Sequence, residues 1–183
     1  GKATYRNRFI DSKGLREERE KGGWIYPGLN MYGEIIAKGE MPKSKNTGNT
    51  AMVFHQGKLF ALMEGGTPYA VSLPDLTTEG EHDFNGTLTH NFTAHPKVDA
   101  TTGEMMTFGY SPMPPFLTYS VVDANGRAVH TKEITIPKGI MMHDCAITQN
   151  YTIFPDLPLV FDFEKLLKGE SMIDWDPSNG CRI

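Results

Sequence analysis

The segment "THNFTAHPKVD" carries two histidines, His90 and His95, and the following Pro96 restricts the backbone at His95. A third, His143, lies about 48 residues further on, in "GIMMHDCAITQ". Neutral imidazoles are ligands for borderline divalent ions such as iron, zinc or copper. A single histidine makes no such site, so residues distant in sequence would have to converge. The same residues allow a plainer reading. A histidine beside Met or Ala often fills a core position with its hydrogen bonds satisfied, and spacing alone leaves both readings open. The remaining three are set aside. His55, in "HQG", is expected to be exposed in a hairpin turn, and His82 and His130 lie among polar residues with no special context.

The elements that would position these residues are short strands. From Ala51 onward, apolar runs alternate with turns. "AMVF" and "KLFALM" flank "HQG" as a tight hairpin. "FLTYSVV" leads into "DANG", whose Asn125-Gly126 suits a turn with positive φ. "CAIT" and "YTIF" flank "QN". Helical periodicity from Ala51 onward is confined to "FEKLLKG" near the end, while the charged "DSKGLREEREKGGW" suggests a short helix or surface loop stopped by Gly22 and Gly23. "AKGEMPKSKNTGNT", residues 37–50, reads as a loop. Three proline-led strand-and-turn units recur: "PYAVSLPDL" from Pro68, "PFLTYSVVDANG" from Pro115 and "PLVFDFEKLL" from Pro158. A period of about 40 to 50 residues with several short strands per unit is the pattern of propeller blades. His95 and His143 stand about one such period apart, so equivalent positions of neighbouring blades could bring them to one axis. About three units are visible, and a closed ring needs at least four, so the chain reads as a fragment. A β-sandwich with accidental spacing is the alternative.

Bulk properties narrow the function. The chain has 183 residues, 39% of them hydrophobic and 22% charged, as in a soluble globular domain with a real core. A net charge of -4 argues against a nucleic-acid partner, which would demand a basic face. No apolar run approaches the roughly 20 residues that span a bilayer. The opening "GKATYRNRF" does not resemble a signal peptide. Two cysteines, Cys145 and Cys181, are too few for a disulfide framework and suggest a reducing compartment. The N-x-T triplets at Asn85, Asn91 and Asn150 are read as chance.

Longer stretches carry a family resemblance. "GNTAMVFHQGKLFALMEGGTPYAV", "NFTAHPKVDATTGEMMTFGY" and "GIMMHDCAITQNYTIFPDLPLVFD" resemble three consecutive segments of the carotenoid cleavage oxygenases. That family includes carotenoid and apocarotenoid dioxygenases, stilbene-cleaving dioxygenases and the retinal pigment epithelium isomerase. "YRNRFIDS" and "DWDPSNGCRI" are similar to its flanking segments, so the resemblance covers essentially the whole chain. It implies an all-β fold, part of a seven-bladed β-propeller, with residues 1–50 a variable opening segment and loop and residues 51–183 the blade repeats. It also implies Fe(II) held by four histidines. His95 in "TAHPK" and His143 in "MMHD" match two of them; the other two would belong to blades after Ile183. Glu64 in "LFALMEGG" matches a glutamate that accepts a hydrogen bond from a ligand imidazole, here His143, fixing its tautomer.

The implied activity is oxidative cleavage of one C=C bond of a carotenoid or apocarotenoid by O2, giving two carbonyl products. The partners are then an apolar polyene and O2, with a peripheral membrane contact for substrate uptake, and the location cytoplasmic, or plastid where a transit peptide precedes this segment. No protein acid or base is named. In stilbene-cleaving members a lysine stands directly before the glutamate and binds a phenolic hydroxyl; Met63 stands there in this chain and favours a polyene. Cys145 replaces the phenylalanine usual after "MMHD". The alternatives that share the motifs are a stilbene dioxygenase of lignostilbene or resveratrol type, a non-catalytic propeller scaffold, and an isomerohydrolase that keeps iron without oxygenation.

Overall fold

The structure is a computed structural model that describes the backbone of residues 1–183 and every side chain except that of Leu29. Helix accounts for only 14% of the chain, and the rest is organised by strands. The first sheet is an antiparallel meander of β1 (Ala51–His55), β2 (Lys58–Leu62), β3 (Tyr69–Ser72) and β4 (Thr77–Glu81). The second repeats the order with β5 (Lys97–Val98), β6 (Met105–Tyr110), β7 (Leu117–Val122) and β8 (Ala128–Glu133). The proline-led units at Pro68 and Pro115 therefore open the third strand of each sheet. The unit at Pro158 opens β11 (Leu159–Phe161), which pairs with β12 (Ile173–Trp175) and, through Val160, with Ile140. Main-chain bonds from Met141 N to Leu159 O (2.8 Å) and from Phe161 N to Gly139 O (2.9 Å) make this a third, shorter sheet. The ribbon of β9 (Ala146–Ile147) and β10 (Thr152–Ile153) precedes it.

Period-2 alternation makes the second sheet two-faced. Met105 pairs with Val122, and both enter an apolar cluster with Phe60, Leu62 and Ala70 of the first sheet and with Phe84 and Phe92. Tyr110 pairs with Leu117, on the opposite face of the same strands. There Phe108 and Leu117 pack with Ile140, Met142, Cys145 and Val160. One sheet thus serves two successive cores, because its central strands β6 and β7 present apolar residues on both sides. The outer face of the first sheet, with Ala61, Tyr69 and Val71, is covered by Ile10 from the opening segment.

Two local expectations change. His55 is the last residue of β1, not a turn residue, and is only 4% exposed, with Nε2 2.9 Å from Gly103 O. The turn itself is Gln56-Gly57, both with positive φ, as a two-residue hairpin loop requires. Its tip docks onto the second sheet, where Gln56 Nε2 donates to Asn125 O. The second change lies in residues 1–50. The expected helix is present as α1 (Lys13–Lys21), capped by the Ser12 hydroxyl and by Gly22 in the left-handed region. A further helix, α2 (Tyr32–Ala37), was not expected, because Ile35 and Ile36 are adjacent rather than at helical spacing. It rests on α3 (Phe163–Leu167), the helix expected from "FEKLLKG". The contact is so close that a Cβ on Gly33 would stand 2.8 Å from Gly169 Cα. No helix among the described residues is long and apolar enough to cross a membrane.

The segment from His90 to Ala94 crosses between the two meanders. Thr93 N donates to Phe108 O on one side (2.8 Å), and Phe92 O accepts from Gly65 N on the other (3.0 Å). Asn91 Nδ2 also donates to Tyr110 O. His90 is locked beneath it, with Nδ1 2.7 Å from Asn91 O and Nε2 2.7 Å from Ser120 Oγ. The crossing needs Gly109. A Cβ there would overlap both oxygens of Asn91 and come within 2.8 Å of His90 Nδ1. Gly109→Ala in the full-length protein is therefore expected to cost about 1–3 kcal/mol through overpacking. The thermal unfolding midpoint checks this; an unchanged midpoint would mean the crossing tolerates a methyl group.

Candidate metal centre

His95 follows the crossing segment directly. Its N–H donates to Thr93 Oγ1 (3.0 Å), and Thr93 is fully buried, so the start of the histidine loop is pinned to the core. Glu64 leaves the end of β2 in the turn before Gly65, whose φ is +78°. Because Gly65 N is bonded to Phe92 O, the turn that carries Glu64 and the segment that carries His95 are fastened to each other by main chain. Ala94 N then donates to Glu64 Oε1 (3.3 Å). His143 sits in a different loop. Met142 N donates to Ile140 O and His143 N to Met141 O, two consecutive i→i+2 turns, with Ile140 and Met142 buried as anchors.

The three side chains converge. The imidazole centroids of His95 and His143 are 4.5 Å apart and inclined at 54°. Glu64 Oε1 lies 3.7 Å from His95 Nε2 and 4.0 Å from His143 Nδ1. One donor atom from each of Glu64, His95 and His143 falls within 4.8 Å of the others. The hydrogen bond expected from His143 to Glu64 is not formed at 4.0 Å, and His95 stands nearer to the carboxylate. The physical reason is the Ala94 amide, which holds Oε1 against the His95 loop.

The polar accounting points to a cation. His95 Nε2 and Glu64 Oε2 are both buried and have no hydrogen-bond partner. A buried polar atom without a partner costs about 1–3 kcal/mol, so two in one small cluster are costly unless something engages them. A divalent ion engages imidazole nitrogen and carboxylate alike. The residues present thus fit a metal. Tyr110 flanks the site: burial, with the Glu64 carboxylate close by, pushes its phenol well above the ordinary value, so it stays protonated. Its hydroxyl lies 3.6 Å from Met141 Sδ. Burial also pushes the Cys145 thiol up to about 11, leaving it a packing residue rather than a thiolate ligand.

The family model described as "Retinal pigment epithelial membrane protein" matches residues 1–183. The chain belongs to the carotenoid cleavage oxygenase family. It is 40% identical over 190 residues to the carotenoid 9,10(9',10')-cleavage dioxygenase of Crocus sativus, covering 94% of this chain and 35% of that protein. It is also 40% identical over 201 residues to carotenoid 9,10(9',10')-cleavage dioxygenase 1 of Arabidopsis thaliana, covering 100% of this chain and 37% of that protein. Among solved structures it resembles the lignostilbene dioxygenase of Pseudomonas brassicacearum, with TM-score 0.79 and 31% identity, covering 93% of this chain and 36% of that one. The chain therefore spans about a third of the length of the carotenoid cleavage dioxygenases it matches.

Of the histidines outside the cluster, His90 is tied to Ser120 and Asn91, His55 to Gly103, and His130 is exposed on β8. The sequence reading passed over the Ala94 amide and Thr93. Main-chain donors carry no residue-type signal, although Thr93 stands in the quoted "NFTAHPK" motif. In the full-length protein, His95→Ala and His143→Ala are expected to lose bound metal, and Glu64→Gln to weaken it by about 10- to 100-fold. His130→Ala is expected to retain it. Metal content by elemental analysis checks all four, and metal retained in both histidine variants would dissolve the site.

Proposed function

We propose that this chain is the part of a non-heme Fe(II) dioxygenase that supplies two of the histidine ligands to iron. The reaction is R–CH=CH–R′ + O2 → R–CHO + R′–CHO, with both oxygen atoms entering the products. The observation that carries the proposal is the convergence of Glu64, His95 and His143 from three separate segments. Iron, when bound, supplies the activation of O2 toward an alkene that does not react with it unaided. The chain's own residues do the positioning. His95 and His143 offer nitrogen donors, and the Glu64 carboxylate stands beside both rings, 3.7 Å and 4.0 Å away, where it adds a negative charge. The two histidine ligands beyond this pair come, on this reading, from sheets outside the chain. His143 has 57% of its side chain exposed, which leaves the open side of the cluster for them.

The same proposal takes the two meanders and the third short sheet as consecutive blades of a seven-bladed propeller, about three of them within this chain. Apolar clusters between successive sheets favour that arrangement. They give the second sheet a neighbour on both faces, as stacked blades need.

For the substrate we propose a carotenoid or apocarotenoid. Met63 precedes the site carboxylate with a thioether, a flexible apolar surface suited to a polyene. Its Sδ accepts from Thr47 N at 3.0 Å. A lysine ammonium there would face a donor instead of an acceptor. The likeness to a lignostilbene dioxygenase favours a second reading, a stilbene substrate. The experiment is a side-by-side assay of the full-length enzyme on an apocarotenal and a hydroxystilbene under labelled O2. The expected result is higher kcat/KM on the apocarotenal, label in both carbonyl products, and loss of polyene turnover in Met63→Lys, which buries an unpaired charge. Faster stilbene cleavage would transfer the assignment to the second reading; absence of label would end the dioxygenase proposal.

A further inference from the structure

Two charged residues in the histidine motifs take no part in the cluster itself. Lys97 follows His95 by two positions, and Asp144 follows His143 directly. Lys97 Nζ lies 2.6 Å from Asp144 Oδ1. Each end of this pair is rooted. Lys97 belongs to β5 and pairs with Met106 of β6. Asp144 Oδ1 also accepts from Cys145 N (2.7 Å), and Cys145 is buried in the cluster with Phe108 and Leu117. Among the described residues, no other hydrogen bond joins the His90–Val98 segment to the Gly139–Cys145 segment.

We propose that the Lys97–Asp144 ion pair is a positioning clamp that fixes the separation and orientation of the His95 and His143 imidazoles for the metal. This rests on the metal reading of the cluster. Exposed ion pairs contribute little to global stability, so the pair is not needed to hold the fold. Its effect is local. The His143 ring is more than half exposed and has little packing to orient it. A tether on the adjacent residue, anchored beyond His95, therefore limits where that ring can go. Asp144 also neutralises an ammonium that would otherwise oppose a cation arriving nearby.

The clamp and a purely electrostatic role predict different signs. As a clamp, Lys97→Met and Asp144→Asn each weaken metal binding, and the double variant is no worse than either single, because both remove the same link. As a charge effect alone, removing the lysine strengthens binding and removing the aspartate weakens it. The test is Co(II) titration of the full-length protein and these variants, following affinity by chelator competition and site geometry by the visible Co(II) spectrum. Expected are losses of about 10-fold for each single variant, a similar loss for the double, an altered spectrum in all three, and unmodified behaviour in Lys97→Arg, which keeps a cation for Asp144. Thermal midpoints within a degree or two of the parent would accompany these shifts. Opposite signs, additive losses, or unchanged affinity in a parent that binds Co(II) would overturn the clamp alone. A parent that binds no Co(II) would overturn the metal reading and the clamp with it.

Discussion

The centre depends on one short stretch of main chain that is bonded on both sides. Phe92 O accepts from Gly65 N, and Thr93 N donates to Phe108 O, so the two residues before the His95 loop join the first meander to the second. Backbone amides and carbonyls buried between sheets must find partners, and here each partner lies on a different sheet. Glu64 and His95 are therefore held at a fixed distance before any side chain chooses a rotamer. The buried rings of Phe84 and Phe92, stacked at 5.7 Å, fill the space beneath. The Gly109 backbone allows the approach from above.

Two-faced sheets explain why the site can be assembled from loops. A meander with apolar residues on both sides cannot stand with one face in water, so each sheet is forced against the next. Met105 and Val122 point into one core, Phe108 and Leu117 into the other. Loops at the same end of successive sheets are then brought together repeatedly. The turn after β2, the crossing segment, and the loop before β9 meet in that way. Rigid sheets position the loops, the usual division of labour between scaffold and site.

Much of this was legible in the sequence, and the parts that were not share a cause. Strand runs, the Asn125-Gly126 turn and the proline-led units are local signals, and they mark β3, β7 and β11. The family resemblance supplied the identities of Glu64, His95 and His143, which spacing alone left open. What stayed hidden were contacts between residues far apart. His55 reads as a polar turn residue, but its neighbour 48 positions on, Gly103, buries it. The α2 helix shows no amphipathic period in the sequence, and its close contact is between Gly33 and the Gly169 backbone just after α3. The leaning of Glu64 toward His95 comes from the Ala94 amide, and every non-proline residue carries such an amide.

The donor set around the cluster is narrowed further by what neighbouring groups are already doing. Beside His143 stand a carboxylate and a thiol, either of which could in principle bind a metal. Asp144 Oδ1 is held by Lys97 and by the Cys145 amide, and Asp144 is not among the donors that converge with His95 and His143. The Cys145 side chain packs against Phe108, Ile140 and Val160, and burial keeps it a thiol. Thiolate would have favoured a soft or structural metal site, and a second free carboxylate a hard, oxygen-rich one. Setting both aside leaves the two imidazoles as nitrogen donors, with the Glu64 carboxylate beside them. That combination suits a borderline divalent ion with open positions. On the metal reading, the ion pair and the apolar cluster hold the Asp144 carboxylate and the Cys145 thiol away from the two imidazoles.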